Sequence, residues 1–306
     1  MTDLAGRAIA ISISDAPDRL KLGFPEREIE RALYSICMAV VRAGARVVYA
    51  GDLRPSGYTF KIFRHLAGAY AAQGETPFTH VVPQPVLSRS KFDDWVVSMK
   101  EARNTAKTLL VIGGELVPFR LAADGLLIGG GAGSVPSLMT DAAAFGTWLS
   151  SLSQQEDSVG FTAARQAVTG YVDARIAMGG KMGLLDNPTD RYRGAMPGVI
   201  EEIIMSLETR KPCALLGAFG GATRDGAIAL GLLPLSDKVP RGLQMPSYDI
   251  ATSRLALLHD AIPASLRDRM AALADDDRLE YVATAVVDLL TEWLRKLPVV
   301  SDTKCT

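Results

Sequence analysis

From Asp173 to Ala222 the chain runs DARIAMGGKMGLLDNPTDRYRGAMPGVIEEIIMSLETRKPCALLGAFGGA. Two mostly apolar runs of strand length, Ala174–Met178 and Pro212–Leu216, each end at a glycine turn, and a segment of helix length lies between them. Strands this apolar are buried on both faces, which calls for a sheet covered by helices. In an open sheet of that kind, loops at the carboxyl ends of the strands form the ligand crevice. Those loops carry Gly179-Gly180-Lys181 and Pro197-Gly198, the second opening a helix on Glu201-Glu202. Backbone N–H groups at a helix start, beside a lysine, suit a phosphate. Two carboxylates in that first turn suit ribose hydroxyls. A nucleotide-like ligand is the leading expectation.

The rest of the chain extends the same alternation. Ala8–Ser14 is a buried strand, and Pro25 starts a helix with Ile29, Leu33, Ile36, Val40 and Val41 near one face, ended by Gly44. Ala45–Ala50 is the next strand, followed by a helix at Phe60–Ala72. Strand–helix–strand–helix in close succession marks a parallel sheet with crossover helices. In the middle, His80–Val86 and Thr108–Ile112 read as strands around a helix near Lys91–Arg103. Leu126–Ile128 reads as a further strand before Gly129–Gly133, Ser137–Ser151 as a helix, Gln154–Asp157 as a solvated loop and Phe161–Val168 as a short helix. Past Gly231 comes a proline-bearing loop in the position of a lid, then helices at Ile250–Ala261, Leu266–Ala274 and Leu279–Leu297, the last amphipathic and stopped by Pro298. The expected fold is a Rossmann-like, mostly parallel α/β sheet with helices on both faces and additional C-terminal helices. Residues 1–232 are expected to form the ligand-binding domain. Residues 233–306 are expected to pack on it or at a subunit contact.

Composition narrows the function. With 306 residues and 48% hydrophobic content the chain can bury one large core. Its 33 basic and 34 acidic residues nearly cancel, so no nucleic-acid partner is expected. Cys37 and Cys213 lie in apolar runs and read as reduced core residues, while Cys305 is on a polar tail. His65, His80 and His259 are scattered and no ligand spacing occurs, so neither a metal nor another cofactor is expected. The start, MTDLAGRAIAISIS, does not read as a signal peptide. No run is long and apolar enough for a membrane span. A cytoplasmic protein is expected.

Each candidate residue also has a plain structural reading. Gly179-Gly180 serves any tight turn, but Lys181 adds charge where strand-end loops converge. No G-x-x-x-x-G-K-[ST] spacing is present. Glu201 and Glu202 complement the helix dipole without any ligand, yet Arg191, Arg193 and Gly194 lie close by in sequence. A carboxylate there can bind ribose or act in acid–base chemistry. Arg165 is a solvated helical charge or a bidentate phosphate ligand. Gly51 and Asp52 follow the second strand, and Ser12, Ser14 and Asp15 close the first, all at positions where nucleotide folds hold phosphate or ribose. Gly217, Phe219 and Gly220 end the last strand, with Phe219 placed to stack on a base or to fill the core. The glycine run at 129–133 lacks the strand–GxGxxG–helix context, and no G-x-S-x-G elbow occurs.

The segments FTAARQAV, DARIAMGGK, RGAMPGVIEE and KPCALLGAFGGAT resemble the SLOG superfamily, which unites the Smf/DprA and LOG (Lonely Guy) proteins. The resemblance is specific over Phe161–Thr223. In LOG-type phosphoribohydrolases a helical arginine precedes a D-A-F-I-like strand, P-G-G-x-G-T-x-x-E and a K-P-V strand. Arg165 falls on that arginine, Gly179 and Gly180 on the loop glycines, and Gly198 and Glu202 on the final glycine and glutamate. The chain resembles still more closely the sensor domains of Thoeris-type defence effectors, which bind cyclic ADP-ribose isomers and carry the pattern D-A-R-I, G-G-K and P-G-I-x-E-E. Here MGLLDNPTDRYRGAMP is inserted between the loop halves, Val199 replaces the threonine, and GDLRPSG stands where the strand-two glycine turn lies. The resemblance implies a homo-oligomeric sensor of an ADP-ribose-like compound, acting through a separate effector protein in bacterial defence. Its alternative is N-glycosidic hydrolysis of a nucleoside monophosphate or NAD-like compound, with Glu202 and Arg165 catalytic.

Overall fold

The computed structural model describes residues 4–54, 57–70, 76–102, 105–130 and 135–297. Its first half builds β1 (Ala8–Ser14), α1 (Glu26–Arg42), β2 (Arg46–Ala50), α2 (Tyr58–Tyr70) and β3 (Phe78–Val82), then α3 (Gln84–Leu87), α4 (Phe92–Glu101) and β4 (Ala106–Ile112). Next come β5 (Glu115–Ala122), β6 (Gly125–Ile128), β7 (Ser137–Met139), α5 (Ala142–Ser151) and α6 (Asp157–Tyr171). The chain then forms β8 (Ala174–Gly179), α7 (Gly198–Glu208), β9 (Cys213–Leu216), α8 (Gly221–Ala229), α9 (Pro246–Ala256), α10 (Arg267–Asp275) and α11 (Leu279–Lys296).

Among the described residues nine strands share one sheet in the order β7-β6-β5-β4-β3-β2-β1-β8-β9. The six from β4 to β9 across β1 are parallel, whereas β5, β6 and β7 form an antiparallel edge. From β1 the chain moves outward through β2 to the β7 edge, then returns to β8 on the other flank of β1. The strand order therefore reverses between β1 and β8, and such a switch point opens a crevice at the carboxyl ends of the strands. The register there places Ala10 beside Arg175, Ser12 beside Ala177 and Ser14 beside Gly179.

The side-chain alternation of β1 sets the two faces. Ile9, Ile11 and Ile13 join the large core with Leu33, Ile36 and Val40 of α1 and with Val286, Leu290 and Trp293 of α11. Ala8 and Ala10 join a smaller core with Ala164 and Val168 of α6. Small residues on that second face let α6 approach closely and leave space near the strand ends. Helix α1 carries Glu26 and Glu28 in its first turn and Arg42 in its last, each favourable with the helix dipole.

The middle of the chain departs from the sequence expectation. Ile112 and Glu115 pair across Gly113-Gly114, both at positive φ, giving a tight hairpin into β5, a segment for which no strand was expected. Pro118 is tolerated inside β5 because its carbonyl accepts from Gly129 N–H just past the end of β6, so the missing donor faces a position where pairing stops. The strand expected at His80–Val86 runs instead from Phe78 to Val82, since Pro83 leads into α3. Ser137–Met139 is an edge strand rather than helix, and Asp141, accepting from Ala144 N–H at 2.8 Å, caps the helix that follows. Asp157, assigned to a solvated loop, opens α6. The glycines at 131–133, residues 71–72, Pro298 and Cys305 lie outside the described residues. Cys37 and Cys213 are buried free thiols. Among the described residues no helix is long and apolar enough to cross a membrane.

Candidate functional site

Arg175 organises the crevice from below. It enters β8 on the face toward α6 and α7 and is fully buried, so its donors must be met inside the protein. One guanidinium nitrogen donates to Ser12 Oγ at 2.6 Å and to Glu202 Oε2 at 2.9 Å. Nε donates to Ser206 Oγ at 2.8 Å and Nη2 to Thr169 Oγ1 at 2.9 Å. Ser12 in turn donates to Glu202 Oε2. Ser206, one helical turn beyond Glu202, donates to the Glu202 carbonyl at 2.9 Å. The network fixes the Glu202 carboxylate through Oε2 and leaves Oε1 facing Arg165, whose Nε is 3.7 Å away.

Glu201 has a different task. It is buried, pairs with Arg165 and accepts from Thr162 Oγ1 at 2.6 Å. Its charge thus orients the arginine and is not presented to the crevice. A Cβ on Gly198 would lie 2.6 Å from Arg165 Nη2, and one on Gly194 would lie 2.7 Å from Nη1. Both glycines therefore make room for the guanidinium. Arg165, Arg175, Ser12, Ser14, Glu202 and Gly198 line a cavity of about 180 Å³, closed on the β2 side by Tyr49. Burial pushes the Tyr49 phenol well above its ordinary pKa, so it remains a neutral hydroxyl, directed at the Ile13 carbonyl at 3.4 Å. Among the described residues no side chain caps α7, so the first N–H groups of this helix stand at the cavity without intrahelical acceptors.

Lys181 does not join this cavity. Its ammonium donates to the carbonyls of Thr189 at 2.8 Å and Arg191 at 3.1 Å, tying down the inserted 182–197 segment. With Asp15, Thr189 and Asp190 it lines a separate hollow of about 210 Å³. Burial raises the Asp190 carboxyl, although it accepts from the Leu184 and Met182 N–H groups. Asp15 accepts from Tyr58 Oη at 3.0 Å. Asp52 and Arg193 line a third hollow of about 540 Å³ beyond the end of β2. The Gly51 carbonyl faces His80 Nε2 at 3.1 Å.

Gly179 and Gly180 adopt positive φ because the turn passes tightly over Ser14 and beneath Val199 and Ala222. Lys181 N–H then reaches Ser14 Oγ at 3.2 Å. Phe219 is fully buried against Phe24 at 5.3 Å between ring centroids, so it fills the core and stacks on no ligand here. Gly217 and Gly220 shape that same turn, Gly217 against Ala274 and Gly220 against Asp18. The loop read as a lid is tied to the body: Arg241 clamps Asp225 through two nitrogens, and Gln244 donates to the Met182 carbonyl at 2.8 Å.

Sequence reasoning passed over Arg175, Thr169 and Ser206. The signal for the first was present, since a charge inside an otherwise apolar strand has to be paired. Among the described residues no group of three or more histidine, cysteine or carboxylate side chains is placed to hold a metal ion. The assembled site offers one carboxylate oxygen, a guanidinium held from behind and an open helix start around a small polar hollow. A family model described as SLOG cluster2 matches residues 3–236. No curated protein and no solved structure matches the chain.

Proposed function

The chain belongs to the SLOG cluster2 family, and we propose that it binds a nucleotide-derived small molecule whose ribose phosphate seats in the 180 Å³ cavity at the switch point. The observation that carries this reading is the convergence of Glu202, Arg165 and the uncapped start of α7 on one hollow. Glu202 Oε1 accepts from ribose hydroxyls. The N–H groups of α7 and the Arg165 fork receive the phosphate. The finer reading is a sensor for an ADP-ribose-like or cyclic ADP-ribose-like signal, acting as a homo-oligomer with a separate effector in bacterial defence. The resemblance to the D-A-R-I, G-G-K and P-G-I-x-E-E pattern supports it.

Calorimetric titration with AMP, ADP-ribose and cyclic ADP-ribose tests the proposal. Binding of at least one compound is expected, weakened about tenfold or more in Glu202→Gln, the size of a hydrogen bond to a charged group. No heat with any compound overturns it. The second reading, N-glycosidic hydrolysis, is favoured by Arg165 and Glu202 sharing the cavity. Chromatographic detection of a released base, lost in Glu202→Gln, would establish it. Binding without release leaves a sensor.

A further inference from the structure

We propose that the 540 Å³ hollow beyond β2 is the base subsite of the same ligand, taking a flat, uncharged heteroaromatic ring next to the ribose phosphate. This rests on the ribose-phosphate reading and extends it. A hollow of 180 Å³ is smaller than the roughly 300 Å³ at which sites for whole small molecules begin. The remainder of a nucleotide must leave it, and the neighbouring hollow is about three times larger.

Two segments of the chain run from one hollow to the other. Tyr49 and Ala50 line the small cavity and Asp52 and Leu53 the large one, along one stretch of chain. Gly194 abuts Arg165 of the small cavity, while its neighbour Arg193 lines the large one.

The chemistry of the large hollow suits a ring better than a second phosphate. Leu53, Phe60, Val86 and Val97 give it apolar surface, and Val97 is 58% exposed, a large aliphatic side chain left open on α4. Arg64 lies over the Phe60 ring at 5.2 Å, and a guanidinium plane is a stacking surface for bases. Three of its arginines are already paired: Arg54 with Asp52, Arg64 with Glu101 and Arg89 with Asp157. Little net positive charge remains, apart from Arg193 near the boundary with the phosphate cavity. The hollow on the opposite side, at Lys181, offers no aromatic surface, and its ammonium is engaged by backbone carbonyls.

The test compares ribose 5-phosphate with AMP on the full chain by calorimetry. AMP is expected to bind about tenfold or more tightly, the contribution of one stacked base. Val97→Asp, at an exposed position that spares the core, is expected to bring the ratio of the two affinities close to one. Arg64→Ala, which removes the guanidinium face, is expected to lower it as well. Equal affinities in the wild-type chain, or a ratio that neither variant changes, overturn the base subsite while the ribose-phosphate reading stands. Failure of both compounds to bind overturns the base subsite, and if ADP-ribose and cyclic ADP-ribose give no heat either, the ribose-phosphate reading falls with it.

Discussion

Replacing Arg175 with methionine tests whether the buried network is what holds Glu202 in place. Methionine fills the space of the arginine stem but offers no donor. The change removes the 2.6, 2.8, 2.9 and 2.9 Å bonds to Ser12, Ser206, Glu202 and Thr169. It also strands the Glu202 carboxylate, whose side chain is only 17% exposed, with Arg165 Nε at 3.7 Å as its nearest cation. Removing one partner of a buried pair costs about 3–5 kcal/mol. Partial access of Glu202 to water puts the expectation near the lower end, about 3 kcal/mol. Glu202→Gln alone leaves the fully buried Arg175 guanidinium with neutral acceptors and no carboxylate, and is likewise expected to cost about 3 kcal/mol or more. With the stranded charge removed, the double variant should be less destabilised than the sum of the two by about 1 kcal/mol or more. Urea denaturation followed by tryptophan fluorescence reads each value from the midpoint at unchanged slope. An Arg175→Met variant within about 0.5 kcal/mol of wild type, or a strictly additive double variant, refutes this account of the site.

Gly198→Ala places a methyl group 2.6 Å from Arg165 Nη2; ligand affinity is expected to fall about tenfold with little change in thermal stability, and unaltered calorimetric affinity would count against the packing argument. Lys181→Met frees the carbonyls of Thr189 and Arg191, so hydrogen exchange across 182–197 should quicken while AMP affinity changes less than in Gly198→Ala; the reverse ranking would return Lys181 to the phosphate. Burial lowers the His80 imidazole from 6.5 to about 4. Between those values the unfolded chain binds the extra proton, so stability is lost as pH falls through that window, by up to about 1.4 kcal/mol per pH unit. His80→Gln should flatten this part of the pH–stability curve, and an unchanged slope excludes His80 as its source. Arg241→Ala leaves the buried Asp225 with Tyr248 alone among these partners, at 2.6 Å; a loss of about 3 kcal/mol and faster proteolysis between residues 231 and 245 are expected, whereas wild-type resistance would show the clamp to be dispensable.

The parallel part of the sheet was legible because strands covered on both faces need near-continuous apolar runs, and β1, β8 and β9 have them, broken by Ser12 in β1 and by Arg175 in β8. The antiparallel edge was not legible: ELVPFRLA carries a proline and an arginine, and its pairing depends on neighbours distant from any local pattern. Its one local signal was the Gly113-Gly114 pair between apolar residues. For the site, the strand-end glycines and the acidic helix start led to the crevice. They did not divide the labour between Glu201, turned to Arg165, and Glu202, turned to Arg175.

Apolar periodicity and glycine punctuation alone specified the alternation of strands and helices, and with it the rim at which a ligand would bind, since both follow from burying a pleated surface. Only the tertiary structure decided which charges meet there. Arg165 and Glu202 share a cavity because β1 lies between β2 and β8 and brings α6 and α7 together over its end. Lys181, adjacent to the glycine turn in sequence, is drawn away because the inserted loop folds back and presents two carbonyls to it. An ammonium takes whichever oxygen atoms packing places within reach, and that placement belongs to the assembled chain.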